Sequence, residues 1–152
     1  MTEIVSRQAA NIAAGTKNTP AGVGSKKRTF ILTSPAVAAW AQNDTIATGR
    51  PIPIGTRFLC DSFASHTAFG LNVTLTVGLR DFKTKAVISA TAICTATDIS
   101  AAGRTILNTG AYVAAGVEYV TDVVTELYAV IGGVTPTANA QLRLEISAVT
   151  TD

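Results

Sequence analysis

The sequence predicts an all-β domain, an antiparallel β-sandwich preceded by an extended arm. Three observations carry that expectation. The stretch Gly70 to Asp81, GLNVTLTVGLRD, places Leu71, Val73, Leu75, Val77 and Leu79 on one parity and Asn72, Thr74, Thr76 and Gly78 on the other. Strict alternation marks a strand with one buried face, whereas a helix would scatter those five apolar residues around its circumference. Similar short segments recur along the chain with turn residues between them, and no long helical period interrupts them. The first 27 residues, by contrast, have a composition that cannot build a core.

Residues 1–27 read as the arm and residues 28–152 as the sandwich. Within the arm, residues 2–14 carry the pattern of a short helix: Thr2 suits a cap, Glu3 the first turn, and Val5, Ala9, Ile12 and Ala13 share a face. A helix that short is marginal without a partner surface. Gly15 to Lys27 is rich in Gly, Thr, Ser and Pro. Such a segment reads either as a disordered tail or as an arm that takes its order from a neighbouring chain.

The folded body begins at Arg28. Thr29 to Thr33 reads as a strand stopped by Ser34-Pro35, since the residue before proline is held extended and proline donates no hydrogen bond. Ala36 to Gln42 is ambiguous between a helical turn and a strand, and Trp40 within it is expected to anchor either the core or a subunit contact. Asn43-Asp44 is a turn, Thr45 to Thr48 a short strand, and Gly49 to Gly55 a proline-punctuated crossing. Arg57 to Phe63 reads as one strand with Phe58, Cys60 and Ser62 on one face. Ser65-His66-Thr67 reads as a loop leading into the Gly70 to Asp81 strand, which is expected to be central.

A charged turn, Lys83-Thr84-Lys85, precedes an expected strand from Ala86 to Thr95. Asp98 to Gly103 looks like a capped helical turn ended by glycine, and Arg104 to Asn108 and Gly116 to Thr121 are further segments. The last two strands, Thr125 to Ile131 and Ala138 to Val149, read as a hairpin joined through Gly132 to Pro136. About eight short strands with turns between them close most naturally as a jelly roll.

Composition narrows the function. Charged residues are 14% of the chain and hydrophobic residues 47%, against a usual charged share of about 25%. So sparse a charge points to a subunit of an assembly. The net charge of +2 is uneven: Arg7, Lys17, Lys26, Lys27 and Arg28 against Glu3 give residues 1–28 a charge of +4, leaving −2 for the rest. MTEIVSRQ lacks the apolar core of a signal peptide, and no uncharged stretch reaches the ~20 apolar residues of a membrane span, so a soluble protein made in the cytosol is expected. Cys60 and Cys94 stand apart, without metal or redox spacing, and read as two buried reduced thiols.

The search for chemistry is largely negative. His66 lies near Ser62 and Ser65, but serine and histidine in one loop do not make a triad. The acids are dispersed, with neither a glycosidase pair nor calcium-ligand spacing. Gly22-Val23-Gly24-Ser25-Lys26 fails the spacing of a phosphate loop. Lys26-Lys27-Arg28 is a basic collar without interleaved aromatics, so it reads as subunit-facing and not as a nucleic-acid site. No catalytic, cofactor or metal residue is assigned. The residues expected at a subunit interface are Ile4, Val5, Arg7, Ile12, Lys17, Lys26, Lys27, Arg28 and Trp40.

Several stretches together resemble the small structural proteins of tailed-bacteriophage heads: WAQNDTIATGRPIPIGTRFL, LNVTLTVGLRD, TDISAAGRTILNTG and ELYAVIGGVTPTANAQLRLEISAVT. The shared pattern is a strand after a Pro-x-Gly turn (Pro53-Ile54-Gly55), an alternating strand ending in valine-glycine, a Thr-Asp-x-Ser-x-Ala-Gly turn and a closing hairpin of the Pro-Thr-Ala-Asn-Ala-Gln kind. It covers roughly residues 28–150 and leaves the arm without a counterpart. The resemblance implies a jelly-roll head decoration (cement) protein, commonly a homotrimer, seated on the major capsid protein at the surface of the virion. The competing class is another phage head, tail or fibre component whose β-sandwich binds a receptor or carbohydrate, and an enzyme is the remaining alternative. An aromatic share of 6% offers little material for a sugar-binding platform.

Overall fold

The chain's computed structural model describes residues 26–34, 39–114 and 119–150. The expected helix at residues 2–14 and most of the arm fall outside that range. Among the described residues nine strands run in the order β1 (Lys26–Thr33), β2 (Asp44–Ala47), β3 (Arg57–Phe58), β4 (Phe63–His66), β5 (Val73–Asp81), β6 (Val87–Asp98), β7 (Gly103–Ile106), β8 (Thr125–Gly133) and β9 (Leu142–Thr150). A helical turn, α1 (Ala111–Ala114), precedes β8.

Every strand pair is antiparallel. One sheet has the order β1-β9-β4-β7, with β3 also against β9, and the other has the order β2-β8-β5-β6. Pairing is nested along the chain: β1 with β9, β2 with β8, β4 with β7 and β5 with β6. A long antiparallel ribbon rolled into two facing sheets produces that nesting, which is the winding of a jelly roll.

The strand on which the prediction rests is central, lying between β8 and β6. Val73, Leu75, Val77 and Leu79 are all fully buried. They share one core with Leu127, Ala129 and Ile131 of β8 and with Leu142, Leu144, Ile146 and Ala148 of β9. Burying each such aliphatic side chain contributes about 1.5–3 kcal/mol, so this double row supplies much of the driving force for folding. Leu71 departs from the expected pattern, being 78% exposed. Gly70 (φ 103) and Asn72 (φ 63) turn the chain just before Val73, so the alternation begins one apolar residue too early in the sequence.

Three further expectations are corrected. Arg57 to Phe63 is not one strand. Phe58 pairs with Ala148 and Phe63 with Glu145, so five residues advance against three on β9. The surplus bulges outward, and the buried Ser62 hydroxyl fills the gap, accepting from the Ser147 N–H at 3.0 Å and donating to the Leu59 carbonyl at 3.2 Å. Cys60 is therefore exposed, while Cys94 is buried as expected. His66 belongs to β4 and not to a loop.

The closing hairpin does not exist. β8 and β9 lie in different sheets, and Val134 to Gln141 carries the chain between them, held by the Thr137 N–H on the Phe69 carbonyl at 2.7 Å. Alternation marks a strand but not its neighbour, so the sequence alone offered no reason to separate them. Asp98 to Gly103 is a tight bend rather than a helical turn. Asp98 ends β6 and its carboxylate accepts the Ser100 N–H at 2.9 Å, so β7 begins at once at Gly103.

The long β6 bulges to match the shorter β5, its register shifting three times along the pair. Between Val77↔Cys94 and Leu79↔Ser89 it carries a bulge. Gly78 and Gly110 leave room for it: a Cβ on Gly78 would lie 2.5 Å from the Ser89 carbonyl oxygen, and one on Gly110 would lie 2.3 Å from the Ile93 carbonyl carbon.

Candidate interaction surfaces

The basic collar sits on β1, two of its residues earlier than the expected start of the body. Lys26 pairs with Thr150, Lys27 with Val149 and Arg28 with Ala148, and all three side chains are exposed. Pairing with β9 extends the strand into the collar because the last residues of β9 need a partner. Arg57 of β3 flanks Val149 from the other side. Lys27 donates to the carboxylate of Asp61, which stands on the bulge between β3 and β4. That ammonium holds the Asp61 carboxyl below its ordinary range. The collar is thus a mixed-charge corner of the first sheet.

Trp40 has the first of its two expected roles. It is buried in the chain's own core, its indole N–H donating to the Ala140 carbonyl at 3.0 Å and its ring 5.6 Å from that of Phe69. An anchor used up inside the fold is not exposed to a neighbour. Ile4, Val5, Arg7, Ile12 and Lys17 lie outside the described residues.

The structure brings together a surface the sequence did not reveal. Ile31 pairs with Glu145, Glu145 with Phe63, and Phe63 with Ile106, which sets these four residues in one row across the first sheet. Ile31 is 52% exposed and Ile106 61%. The Arg104 guanidinium stacks 3.6 Å from the centre of the Phe63 ring, and Arg143 donates to Glu145 at 2.9 Å. Apolar side chains bordered by paired charges suit a protein contact better than a small ligand. The residues come from four strands, so only the register could have assembled them.

A second apolar region lies at one end of the sandwich, where three connections meet. The Phe82 N–H donates to Val124 at 3.0 Å, Gly55 to Thr121 at 2.8 Å and Ile52 to Thr125 at 2.7 Å. Ile54, Val87, Val123 and Val124 are exposed around these contacts.

The histidine and serine weighed as candidate chemistry are each held by other partners. His66 bonds through Nε2 to the Thr105 hydroxyl at 2.9 Å and through Nδ1 to the Thr67 carbonyl at 3.1 Å, while Ser62 is committed to β9. A groove beside His66, of about 470 Å³, is lined by Ser65, Thr67, Gln141, Leu142 and Arg143. Among the described residues no group of three His, Cys, Asp or Glu side chains is placed to hold a metal. No helix among them is long and apolar enough to cross a membrane.

No family model and no curated protein matches the chain. Solved structures do. A chain of the cyanophage Pam1 capsid asymmetric unit superposes with a TM-score of 0.58 at 16% identity, over 84% of this chain and 87% of that one. A chain of the capsid of Ralstonia phage GP4 superposes with a TM-score of 0.59 at 15% identity, over 86% of each. At such identity the likeness is one of fold. The sandwich described above is a fold that also occurs in the capsids of two phages.

Proposed function

We propose that the chain is a structural protein of a bacteriophage virion: a head decoration protein that binds the major capsid protein, sits at the capsid surface and stabilises the shell. One observation carries this reading. Two chains taken from phage capsids share the fold over most of their own length and most of this chain, so the match is to a whole subunit and not to a fragment. The apolar row on the first sheet and the apolar end of the sandwich supply surfaces for repeated protein contacts. All nine Phe, Tyr and Trp side chains are buried or half-buried, which argues against a sugar-stacking platform and so against the fibre reading.

In this reading the protein is made in the host cytoplasm, assembles as a homotrimer, and residues 1–25 pack on a neighbouring subunit. Closed three-fold symmetry buries one patch per subunit around the axis and leaves another to face the shell. A protein that grips the assembled lattice and not its free subunits stabilises the lattice by mass action.

Reconstitution tests this. Particles lacking the protein should lose DNA or rupture at a lower temperature, and purified protein added back should restore them. Cryo-electron microscopy of the restored particles should show many copies on the shell. A few copies at one vertex or on a tail would replace decoration with the connector or fibre reading.

A further inference from the structure

Among the described residues the first sheet ends in an open edge. β1 is its outermost strand, and its register with β9 runs without a break from Lys26↔Thr150 to Thr33↔Arg143. The phase of the ladder follows from the next residue, where the Ser34 N–H donates to the Leu142 carbonyl at 2.7 Å. Antiparallel ladders alternate, so Phe30 and Leu32 also exchange backbone bonds with β9, and the N–H and C=O groups of Thr29, Ile31 and Thr33 point away from it.

The other edges differ. The outer side of β6 is crossed by the segment leading to α1, with the Gly110 N–H on Ile93 at 3.0 Å and the Thr95 N–H on the Thr109 hydroxyl at 3.1 Å. β2 and β7 are only four residues long. Folded proteins blunt long edges with proline, charge or a bulge, and Thr29 to Thr33 has none of these. Beside it a groove of about 290 Å³, lined by Thr29, Phe30, Ile31, Thr48 and Arg50, keeps the flank of the strand open.

We propose that this edge pairs antiparallel with the same edge of a second copy of the chain, about a two-fold axis at Ile31. In that register Ile31 meets Ile31 and Thr29 meets Thr33, so each of the three outward-facing residues exchanges both backbone bonds. Apolar and threonine pairs are favourable cross-strand neighbours. The basic triads Lys26 to Arg28 fall beyond the paired stretch at its two opposite ends. Sliding the strands toward those triads sets like charges against one another, and sliding the other way brings in Pro35, which has no N–H. Charge, after a long slide, and proline, after a short one, therefore bound the register from both sides. The two-fold axis also joins the two rows from Ile31 to Ile106 into one stripe, as a self-complementary contact requires. This contact does not depend on the capsid reading or on any three-fold assembly.

The full-length chain in a Cys60→Ser background tests it. In a hydrogen-bonded antiparallel pair the Cα atoms lie about 5.5 Å apart, within reach of a disulfide. On oxidation Ile31→Cys should cross-link to itself. Thr29→Cys should not, yet should cross-link when mixed with Thr33→Cys. Self-linking of Thr29→Cys as readily as of Ile31→Cys, or no linking at any of these positions, would overturn the proposal. Ile31→Pro removes an outward N–H and none of the bonds to β9, so it should weaken dimerisation by about tenfold or more in sedimentation. An unchanged dissociation constant, or a chain that is monomeric from the start, overturns the proposal as well. A photoreactive side chain at position 31 should form adducts with β1 of a second copy. Adducts with residues 1–25 would instead assign the edge to that segment.

Discussion

Arg80 Nε donates to Glu126 Oε1 at 2.6 Å, bridging the paired strands β5 and β8 at a carboxylate with no solvent exposure. Lys85 reaches the same oxygen at 2.7 Å from the turn between β5 and β6. Burial opposes the charge on Glu126, but the two cationic donors outweigh it and hold the carboxyl below its ordinary value of 4.5. The Arg80 guanidinium also lies 5.4 Å from the centre of the Tyr128 ring. One acid thus ties a central strand pair to a turn.

A depressed folded-state pKa contributes stability that is present above the ordinary value and is lost as pH falls through the folded one. Thermal melts should therefore hold steady near neutrality and drop below about pH 4.5. Glu126→Gln should cost about 2 kcal/mol, reduced from a fully buried pair because Lys85 is half in solvent, and should flatten that acid limb. Parallel acid limbs in the two proteins would show that Glu126 is not the group responsible.

Leu75→Asp buries an unpaired charge in the core and should largely abolish folding. Thr74→Asp and Thr76→Asp, on the half-buried opposite face, should be tolerated. Leu71→Asp should be tolerated too, although it shares the parity of Leu75 in the sequence. The soluble yield of the four variants checks both the register and where the strand begins.

Two glycines with positive φ separate strain from crowding. Gly133 (φ 88) would carry a Cβ only 2.0 Å from the Asn72 carbonyl oxygen, whereas Gly49 (φ 62) has open space around it. Gly133→Ala should cost about 3 kcal/mol or more, and Gly49→Ala about 1 kcal/mol from the left-handed conformation alone. Chemical denaturation of both variants compares them directly.

The exposure of Cys60 and the burial of Cys94 predict one fast-reacting thiol per chain in the native protein and a second only after unfolding. Cys60→Ser should remove the fast reaction. A native protein in which neither thiol reacts would place the bulge at Cys60 against the core.

The arm can be tested apart from the body. Deleting Thr2 to Ser25 should leave the β-sheet signal in circular dichroism unchanged, because every described strand begins at Lys26 or later. Association between copies or with particles should weaken. An armless chain that assembles like the full one would make the arm dispensable.

The sequence by itself determined that this is an all-β protein and which side chains fill its core, because alternation is a local property. Val73 to Leu79 and Leu142 to Ala148 are buried by parity whatever strand lies beside them. For Trp40 the sequence left core anchor and subunit contact open, and the fold places it in the core. Only the tertiary structure decided which strands are neighbours. It separates β8 from β9, splits Arg57 to Phe63 around a bulge and turns Leu71 outward. The candidate surface depends on that choice, because Ile31, Phe63 and Ile106 share a face only once β1, β9, β4 and β7 are in register. Hydrogen bonds between distant backbone segments carry no residue-specific code, so a strand advertises its buried face in the sequence and leaves its partner to the packing of the whole.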